Sequence, residues 1–395
     1  MSRRPLEVAD VVREHAEAFT AYRNGVISTA ERRVLHDIAA CRTSILGGHV
    51  ERCVECGHER IAYNSCRNRH CPKCQGRARE QWLQDREAEL LPVGYFHVVF
   101  TLPKELHTLA RQNRRRVYGI LFRTAAEALL QLAADPEHLG AQIGFVAILH
   151  TWGQRLDYHP HVHCVVPGGG LSSGGDRWIG CHPRFFLPVR ALGRLFRGKF
   201  LDQLRQAFQR DEIDLHGALE PLRDADTLQS LFTSLYQKDW FVYVKPPFGG
   251  PGHVLRYLAR YTHRVAISNA RLVGMEDGKV RFRWKDYRRG DRRGVMALAA
   301  VEFLRRFLLH VLPDGFTRIR HYGLLANRNR AASLARCRAL LATEVAGPPP
   351  TTSALAAAEE PLRCPECRRG LMRCVLVFRS GGAGFVAPVP VHDTS

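Results

Sequence analysis

The chain has 395 residues, of which 45% are hydrophobic, enough for a large folded core in one to three domains. Lysine and arginine number 58 against 38 acidic residues, and the formal net charge of +20 favours a nucleic-acid partner over a merely basic enzyme. Residues 1–14 lack the apolar core of a signal peptide, and no uncharged stretch reaches transmembrane length, so we expect a cytoplasmic protein with no membrane partner.

The periodicity of apolar residues predicts a mixture of helices and strands in the first part of the chain. Helical patterns cover residues 5–22, residues 28–48 after a capping-box signature, and residues 75–90. An apolar run at residues 95–101, bounded by prolines, predicts a buried strand, and a long helix follows it. That helix carries the basic run of residues 111–116, for which a solvated face is a commoner explanation than a phosphate-binding patch.

Two Cys-x-x-Cys pairs follow the second helix, and their spacing is the most specific signal in the chain. Each pair can chelate a metal ion from one tight turn, so we expect one structural Zn²⁺ bound by Cys53, Cys56, Cys71 and Cys74. Cys66, His58 and His70 lie nearby and leave the ligand set open. Basic residues around the pairs indicate that this module, about residues 50–76, presents positive charge to a phosphate backbone.

A second metal-binding pattern is built from histidines. His161 and His163 alternate with apolar residues, so on a strand both imidazoles share one face. His150 ends the preceding apolar run, and a hairpin would place it across from the pair. His159 and His161 are the alternative pair, but Pro160 is then a poor occupant of a central strand. Three imidazoles suit a divalent ion, as in several classes of metal hydrolase and oxygenase.

The second half of the chain combines helices with a basic, aromatic-rich segment. Residues 184–236 are helical in period, and residues 240–244 predict a strand. Tyr257 and Tyr261 then lie one helical turn apart, a spacing for which packing is the default explanation. Basic groups interleaved with aromatic rings suit single-stranded nucleic acid. We expect the DNA contacts from Arg281, Arg283, Trp284, Lys285, Arg288, Arg289, Arg292 and Arg293.

The organisation along the chain is predicted from these features. We expect a helical N-terminal region with the zinc module at residues 1–90, a catalytic domain with the basic segments at residues 91–345, and a linker and partly disordered tail at residues 346–395. Cys364, Cys367 and Cys374 in the tail are half a zinc site or idle thiols.

Four motifs together make the chain resemble the transposases of the insertion-sequence-91 family. The motifs are Cys66-Arg-Asn-Arg-His-Cys-Pro-Lys-Cys-Gln75, His150-Thr-Trp-Gly-Gln154, Tyr158-His-Pro-His-Val-His-Cys164 and Tyr257-Leu-Ala-Arg-Tyr-Thr-His-Arg264. The resemblance covers roughly residues 30–340. It implies an α+β nuclease fold, with a central antiparallel sheet flanked by helices, the histidine pair on a central strand and the tyrosine helix facing it.

The resemblance also implies the chemistry. Tyr257 and Tyr261 would be the nucleophiles, and a catalytic Mg²⁺ or Mn²⁺ would lie at His150, His161 and His163. The expected function is cleavage and rejoining of single-stranded DNA at element ends and target through a 5′-phosphotyrosine, in rolling-circle-like transposition without a small-molecule substrate. A plasmid relaxase or replication initiator with the same chemistry and a non-enzymatic zinc-ribbon regulator are the alternatives, and a homo-oligomer is left open.

Overall fold

The computed structural model describes residues 4–87, 89–245, 266–286, 292–344, 362–379 and 385–386. Its nine α-helices over these residues are α1 Val8–Tyr22, α2 Thr29–Ala40, α3 Pro72–Glu87, α4 His107–Gln112, α5 Arg114–Ala134, α6 Val189–Gln209, α7 Ala225–Gln237, α8 Ala300–Leu308 and α9 Arg330–Glu344. The strands are β1 Gly48–Cys53, β2 Glu59–Tyr63, β3 Tyr95–Thr101, β4 Gly144–Trp152, β5 Tyr158–Pro167, β6 Gly169–Leu171, β7 Trp178–Gly180, β8 Val242–Lys245, β9 Leu272–Glu276, β10 Lys279–Asp286, β11 Arg292–Ala299, β12 Ile319–Gly323, β13 Met372–Phe378 and β14 Phe385–Val386.

A five-stranded antiparallel sheet organises the centre of the protein. Its strand order is β12-β4-β5-β3-β8, so β4 and β5 form the expected hairpin in the middle of the sheet. The hairpin register places His150 directly across from His161, and Ile148 across from His163. The expected α+β class, with a central antiparallel sheet flanked by helices, is confirmed.

The two faces of this sheet carry different side chains, because side chains alternate along each strand. On one face, Leu149, Val162 and Cys164 are fully buried and pack into the largest apolar core together with residues of α5 and α6. The opposite face carries the histidines. Part of that second face is covered by Trp82 and Leu83 of α3, which pack near Val146 and Ile148.

The long helix α5 is part of the main core. By length and composition alone it could span a membrane, yet 67% of its most apolar window is buried inside the protein. It packs along α6 and contacts β4 and β5. Its apolar character is therefore accounted for by burial against the sheet.

A second core joins the N-terminal helices to a small sheet from the C-terminal half. Phe19 of α1 and Ile38 of α2 pack with Phe303 of α8 and Phe282 of β10 in one buried cluster. Strands β11, β10 and β9 form that three-stranded sheet in this order. Ser28 caps α2 with the predicted capping box, since its hydroxyl accepts from the Glu31 N–H and the Glu31 carboxylate accepts from the Ser28 N–H.

The tail joins the N-terminal module. Strand β13 pairs antiparallel with β1, from Gly48 opposite Phe378 to Cys53 opposite Met372, in a sheet of order β14-β13-β1-β2. The cysteine-containing tail, expected as a separate segment, thus adds two strands to a sheet that begins near residue 48. Residues 345–361, which include the predicted linker, lie outside the described part of the chain.

Candidate active site and cysteine clusters

Three histidines converge at the centre of the main sheet. His150 comes from β4, and His161 and His163 come from β5, on the face opposite the main core. One ligand nitrogen from each lies within 4.8 Å of the other two. His150 and His163 are buried, whereas His161 is partly buried. The structure therefore brings together the three residues that the sequence selected.

Hydrogen bonds orient two of these imidazoles. The Nδ1 of His161 lies 2.6 Å from the His159 carbonyl oxygen. Since a carbonyl can only accept, Nδ1 must carry the proton, and Nε2 keeps its lone pair for a metal ion. The Nδ1 of His163 lies 2.7 Å from Nε2 of His97, and the two rings stack with centroids 5.0 Å apart. If His163 donates this bond, its Nε2 is likewise left as a ligand atom.

His97 is a site residue that the sequence analysis did not select. It lies on β3, which pairs with β5 so that Val99 is opposite His163. Alternation places His97 on the histidine face, whereas Phe96 and Val98 enter the main core. A histidine in an otherwise apolar strand was the available signal. His97 belongs to the site only because β3 pairs with β5, and the local sequence does not predict which strands pair.

Burial keeps the imidazoles of His161 and His97 neutral. Desolvation, with a smaller contribution from His159, lowers the pKa of His161 to about 3. Desolvation and the nearby Lys245 lower the pKa of His97 to about 4. A neutral imidazole has a lone pair to give to a metal ion or to a hydrogen bond, so the donor set fits a divalent cation.

The structure corrects the predicted zinc site. Cys53 and Cys56 do not converge with Cys71 and Cys74, because each Cys-x-x-Cys turn meets a different second pair of cysteines. The described residues contain two four-cysteine clusters: Cys41, Cys66, Cys71 and Cys74, and Cys53, Cys56, Cys364 and Cys367. The predicted grouping is therefore wrong, although the four predicted residues all belong to clusters.

The first cluster joins α2 to the start of α3. Cys41 follows α2 directly and lies 3.6 Å from both Cys71 and Cys74, measured between Sγ atoms. The Sγ of Cys66 lies 3.5 Å from that of Cys74. Four thiolates around a tetrahedral Zn²⁺ at about 2.3 Å are about 3.8 Å apart, so this cluster fits a zinc ion closely. His70 is not a ligand: its Nε2 accepts from the Leu312 N–H.

The basic strand is also organised as expected, but its rings are less available than predicted. On β10, Arg281 and Arg283 are exposed and Phe282 is fully buried, which confirms one cationic face. Phe282 belongs to the second core and cannot stack on a base. The guanidinium of Arg155 lies 3.9 Å from the ring centroid of Trp284, so one face of that ring is already covered.

The remaining predicted residues lie either at the ends of β10 and β11 or outside the described part of the chain. Lys285 is opposite Arg293 in the β10–β11 register, and Asp286 is opposite Arg292. The turn between these strands, with Arg288 and Arg289, lies outside the described residues. The same is true of Tyr257 and Tyr261.

A large basic cleft provides a further candidate surface for a polyanion. It has a volume of about 1430 Å³ and lies between the N-terminal helices and helices α4, α5 and α6. Its lining contains nine arginines against three carboxylates; the arginines are Arg23, Arg32, Arg111, Arg114, Arg115, Arg116, Arg123, Arg210 and Arg305. The basic run at 111–116, for which the sequence favoured a solvated face, thus lines a concave surface.

Models of known protein families match both the N-terminal module and the region that contains the three histidines. Residues 11–102 match a family model described as a transposase zinc-binding domain, and residues 144–332 match one described as a putative transposase. The chain is 53% identical over 403 residues, covering all of both proteins, to a putative transposase, y4qJ, of Sinorhizobium fredii. It is 29% identical over 351 residues, covering 87% of this chain and 83% of the relative, to the transposase for insertion sequence element IS801 of Pseudomonas savastanoi pv. phaseolicola. No solved structure matches.

These matches define the class as transposases, which act on DNA. The zinc-binding domain at residues 11–102 contains the whole of the first cysteine cluster. The chain belongs to the insertion-sequence-91 family of transposases, and structural zinc belongs to its N-terminal module.

Proposed function

We propose that this transposase cleaves and rejoins single-stranded DNA through a covalent 5′-phosphotyrosine, with Tyr257 and Tyr261 as nucleophiles. The convergence of His150, His161 and His163 carries the proposal, because three imidazoles on one sheet face form a ready divalent-cation site. Mg²⁺ or Mn²⁺ bound there would withdraw charge from the scissile phosphate. The site would act on element ends and target in rolling-circle-like transposition in the cytoplasm.

In the proposed step, a tyrosine phenol loses its proton as its oxygen bonds to phosphorus. The bond to the 3′ oxygen breaks, and that oxygen takes up a proton to become a free hydroxyl. An unperturbed tyrosine has a pKa of about 10, so it needs activation at neutral pH. On the helix that the sequence predicts, the two phenols would lie one turn, about 5.4 Å, apart and could hold one DNA end while a second is opened.

The cationic surfaces would supply affinity for the DNA. Arg281 and Arg283 present one exposed basic strand, and the arginine-lined cleft offers a second. Both act on phosphates rather than on base sequence. Binding should therefore survive loss of the histidine site.

The direct experiment compares cleavage and binding of a labelled single-stranded oligonucleotide that carries an element end. His161→Ala and His163→Ala should lose Mn²⁺-dependent cleavage while binding the oligonucleotide nearly normally. His138→Ala is the matched control, because His138 is an exposed histidine in the loop after α5. Normal cleavage by His161→Ala would show that the active site lies elsewhere.

A tyrosine series tests the covalent step separately. Phenylalanine removes the nucleophilic oxygen with little change in volume, so folding should be kept. Each single variant, Tyr257→Phe or Tyr261→Phe, should retain some cleavage and lose strand transfer, and the double variant should form no adduct that survives denaturing electrophoresis. DNA binding without cleavage in the wild-type protein would favour a regulator. Cleavage of a plasmid origin rather than element ends would favour a replication initiator.

A further inference from the structure

Two Cys-x-x-Cys turns from distant parts of the chain meet at one end of the β1–β13 pair. Cys53 and Cys56 lie at the end of β1, and Cys364 and Cys367 precede β13. The Sγ atoms of Cys53 and Cys367 are 3.7 Å apart, as are those of Cys56 and Cys364. All four sulfurs lie within 4.8 Å of one another.

The two turns have the same backbone design. The Gly57 N–H donates to the Cys53 carbonyl at 3.2 Å, and the Arg368 N–H donates to the Cys364 carbonyl at 3.0 Å. The residue after each second cysteine has a positive φ, +72° at Gly57 and +58° at Arg368. A positive φ is uncommon outside glycine, so its use at Arg368 indicates that the turn geometry is needed.

Gly370 shows how closely the tail fits against the first turn. Its N–H points to the Cys367 Sγ at 3.4 Å, which would stabilise a thiolate. A Cβ at this position would overlap the Cys53 Sγ and approach the Glu55 side chain. The lack of a side chain at Gly370 therefore leaves space for the sulfur of Cys53.

We propose that Cys53, Cys56, Cys364 and Cys367 bind a second structural Zn²⁺, a zinc clasp that fastens the tail to the N-terminal module. The sulfur separations of 3.7 Å match the roughly 3.8 Å expected for four thiolates around tetrahedral zinc. A disulfide would need about 2.05 Å. Four-thiolate sites select zinc among the common divalent ions. The matched zinc-binding domain ends at residue 102 and so includes only half of this cluster.

Among the described residues, apolar packing contributes little to the stability of the surrounding sheet. No residue of β13 is buried, and Ile61, Tyr63 and Val377 on the paired strands are exposed hydrophobic residues. One edge-to-face contact joins Tyr63 to Phe378, with centroids 6.1 Å apart. Small sheets without an apolar core are marginal in water, so the free energy of metal binding would hold the tail in place. The clasp can form only after residues 364 and 367 have been synthesised.

Metal content of the purified full-length chain is the first test. The wild-type protein should contain two zinc ions per chain, one in each cluster. The double variant Cys364→Ser/Cys367→Ser should contain one. Cys374→Ser, which changes an exposed cysteine of β13 outside both clusters, should still contain two. An unchanged zinc content in the double variant would overturn the proposal.

Cysteine alkylation of the unmutated protein covers the case in which a variant fails to fold. Cys56 and Cys374 are both exposed in the structure, so an alkylating reagent can reach either thiol when no metal is bound. Zinc in the clasp should protect Cys56 while Cys374 is modified, and a chelator should abolish the protection. Equal modification of both residues before chelation would refute the clasp. Neither measurement depends on DNA cleavage, so the outcome is independent of the proposed catalytic function.

Discussion

Replacing His97 with phenylalanine should weaken metal binding at the three histidines without removing a ligand. His97 is buried on β3 and shares a 2.7 Å hydrogen bond with Nδ1 of His163. Phenylalanine keeps a ring of similar size but cannot accept that bond. With metal at Nε2, His163 must keep its proton on Nδ1, and the hydrogen bond from this proton to His97 would be lost.

The expected loss of metal affinity depends on which tautomers His163 can adopt with and without bound metal. Without metal, His163 can move its proton to Nε2, and this change of tautomer avoids part of the cost of about 1–3 kcal/mol that follows the loss of a buried hydrogen bond. In the metal-bound form the metal occupies Nε2, so the proton cannot move to that nitrogen. A difference of roughly 1.4–2 kcal/mol between the two forms corresponds to about tenfold to thirtyfold weaker binding, within the range for outer partners of metal-binding histidines.

The assay is a Mn²⁺ titration of the purified protein, with free Mn²⁺ followed by electron paramagnetic resonance. His97→Gln is the matched control, because its side-chain oxygen can accept from His163 and should restore most of the affinity. Thermal unfolding of both variants checks that the core is intact. Wild-type Mn²⁺ affinity in His97→Phe would show that His97 does not position His163.

Three further outcomes follow from the structure. Cys41→Ser should remove one zinc and unfold the N-terminal module, as measured by metal content and limited proteolysis, whereas retention of two zincs would contradict the first cluster. His310 is buried and its pKa is lowered to about 4, first by desolvation, so its stabilising effect is complete above about pH 6.5 and is lost as the pH falls towards 4. Unfolding measurements should show about 2 kcal/mol lost between about pH 7 and about pH 5 from this group, and His310→Gln should flatten the profile. Arg281→Ala with Arg283→Ala should weaken DNA binding and reduce its salt dependence by about two counterions, and an unchanged slope would exclude this strand from the interface.

The local features of the active site could be predicted from the sequence because they depend on short-range geometry. Alternation along a strand places His161 and His163 on one face in any fold, and the short connection to His150 favours a hairpin. The exposed arginines of β10 follow from the same period of two. His161 and His163 are the pair that converges with His150, but the argument from Pro160 was wrong, because β5 begins at Tyr158 and includes this proline in the central strand.

The zinc ligands could not be assigned in this way because their partners are distant in the chain. Two Cys-x-x-Cys turns close in sequence suggested one shared ion, but the β1–β2 hairpin directs Cys53 away from Cys71. Cys53 meets Cys367 beside a strand pairing that no local pattern predicts. Cys41 follows the end of a helix and has no motif spacing to the others.

The central claim is that a tyrosine of residues 257–264 becomes covalently linked to DNA. Its most direct test is to incubate the protein with Mn²⁺ and a single-stranded element end, digest the denatured product with trypsin and nuclease, and map the modified peptide by mass spectrometry. We expect a nucleotide on Tyr257 or Tyr261 in the wild-type protein and none in His163→Ala. Covalent attachment at any other residue, or cleavage of the DNA with no attached nucleotide, would contradict this claim.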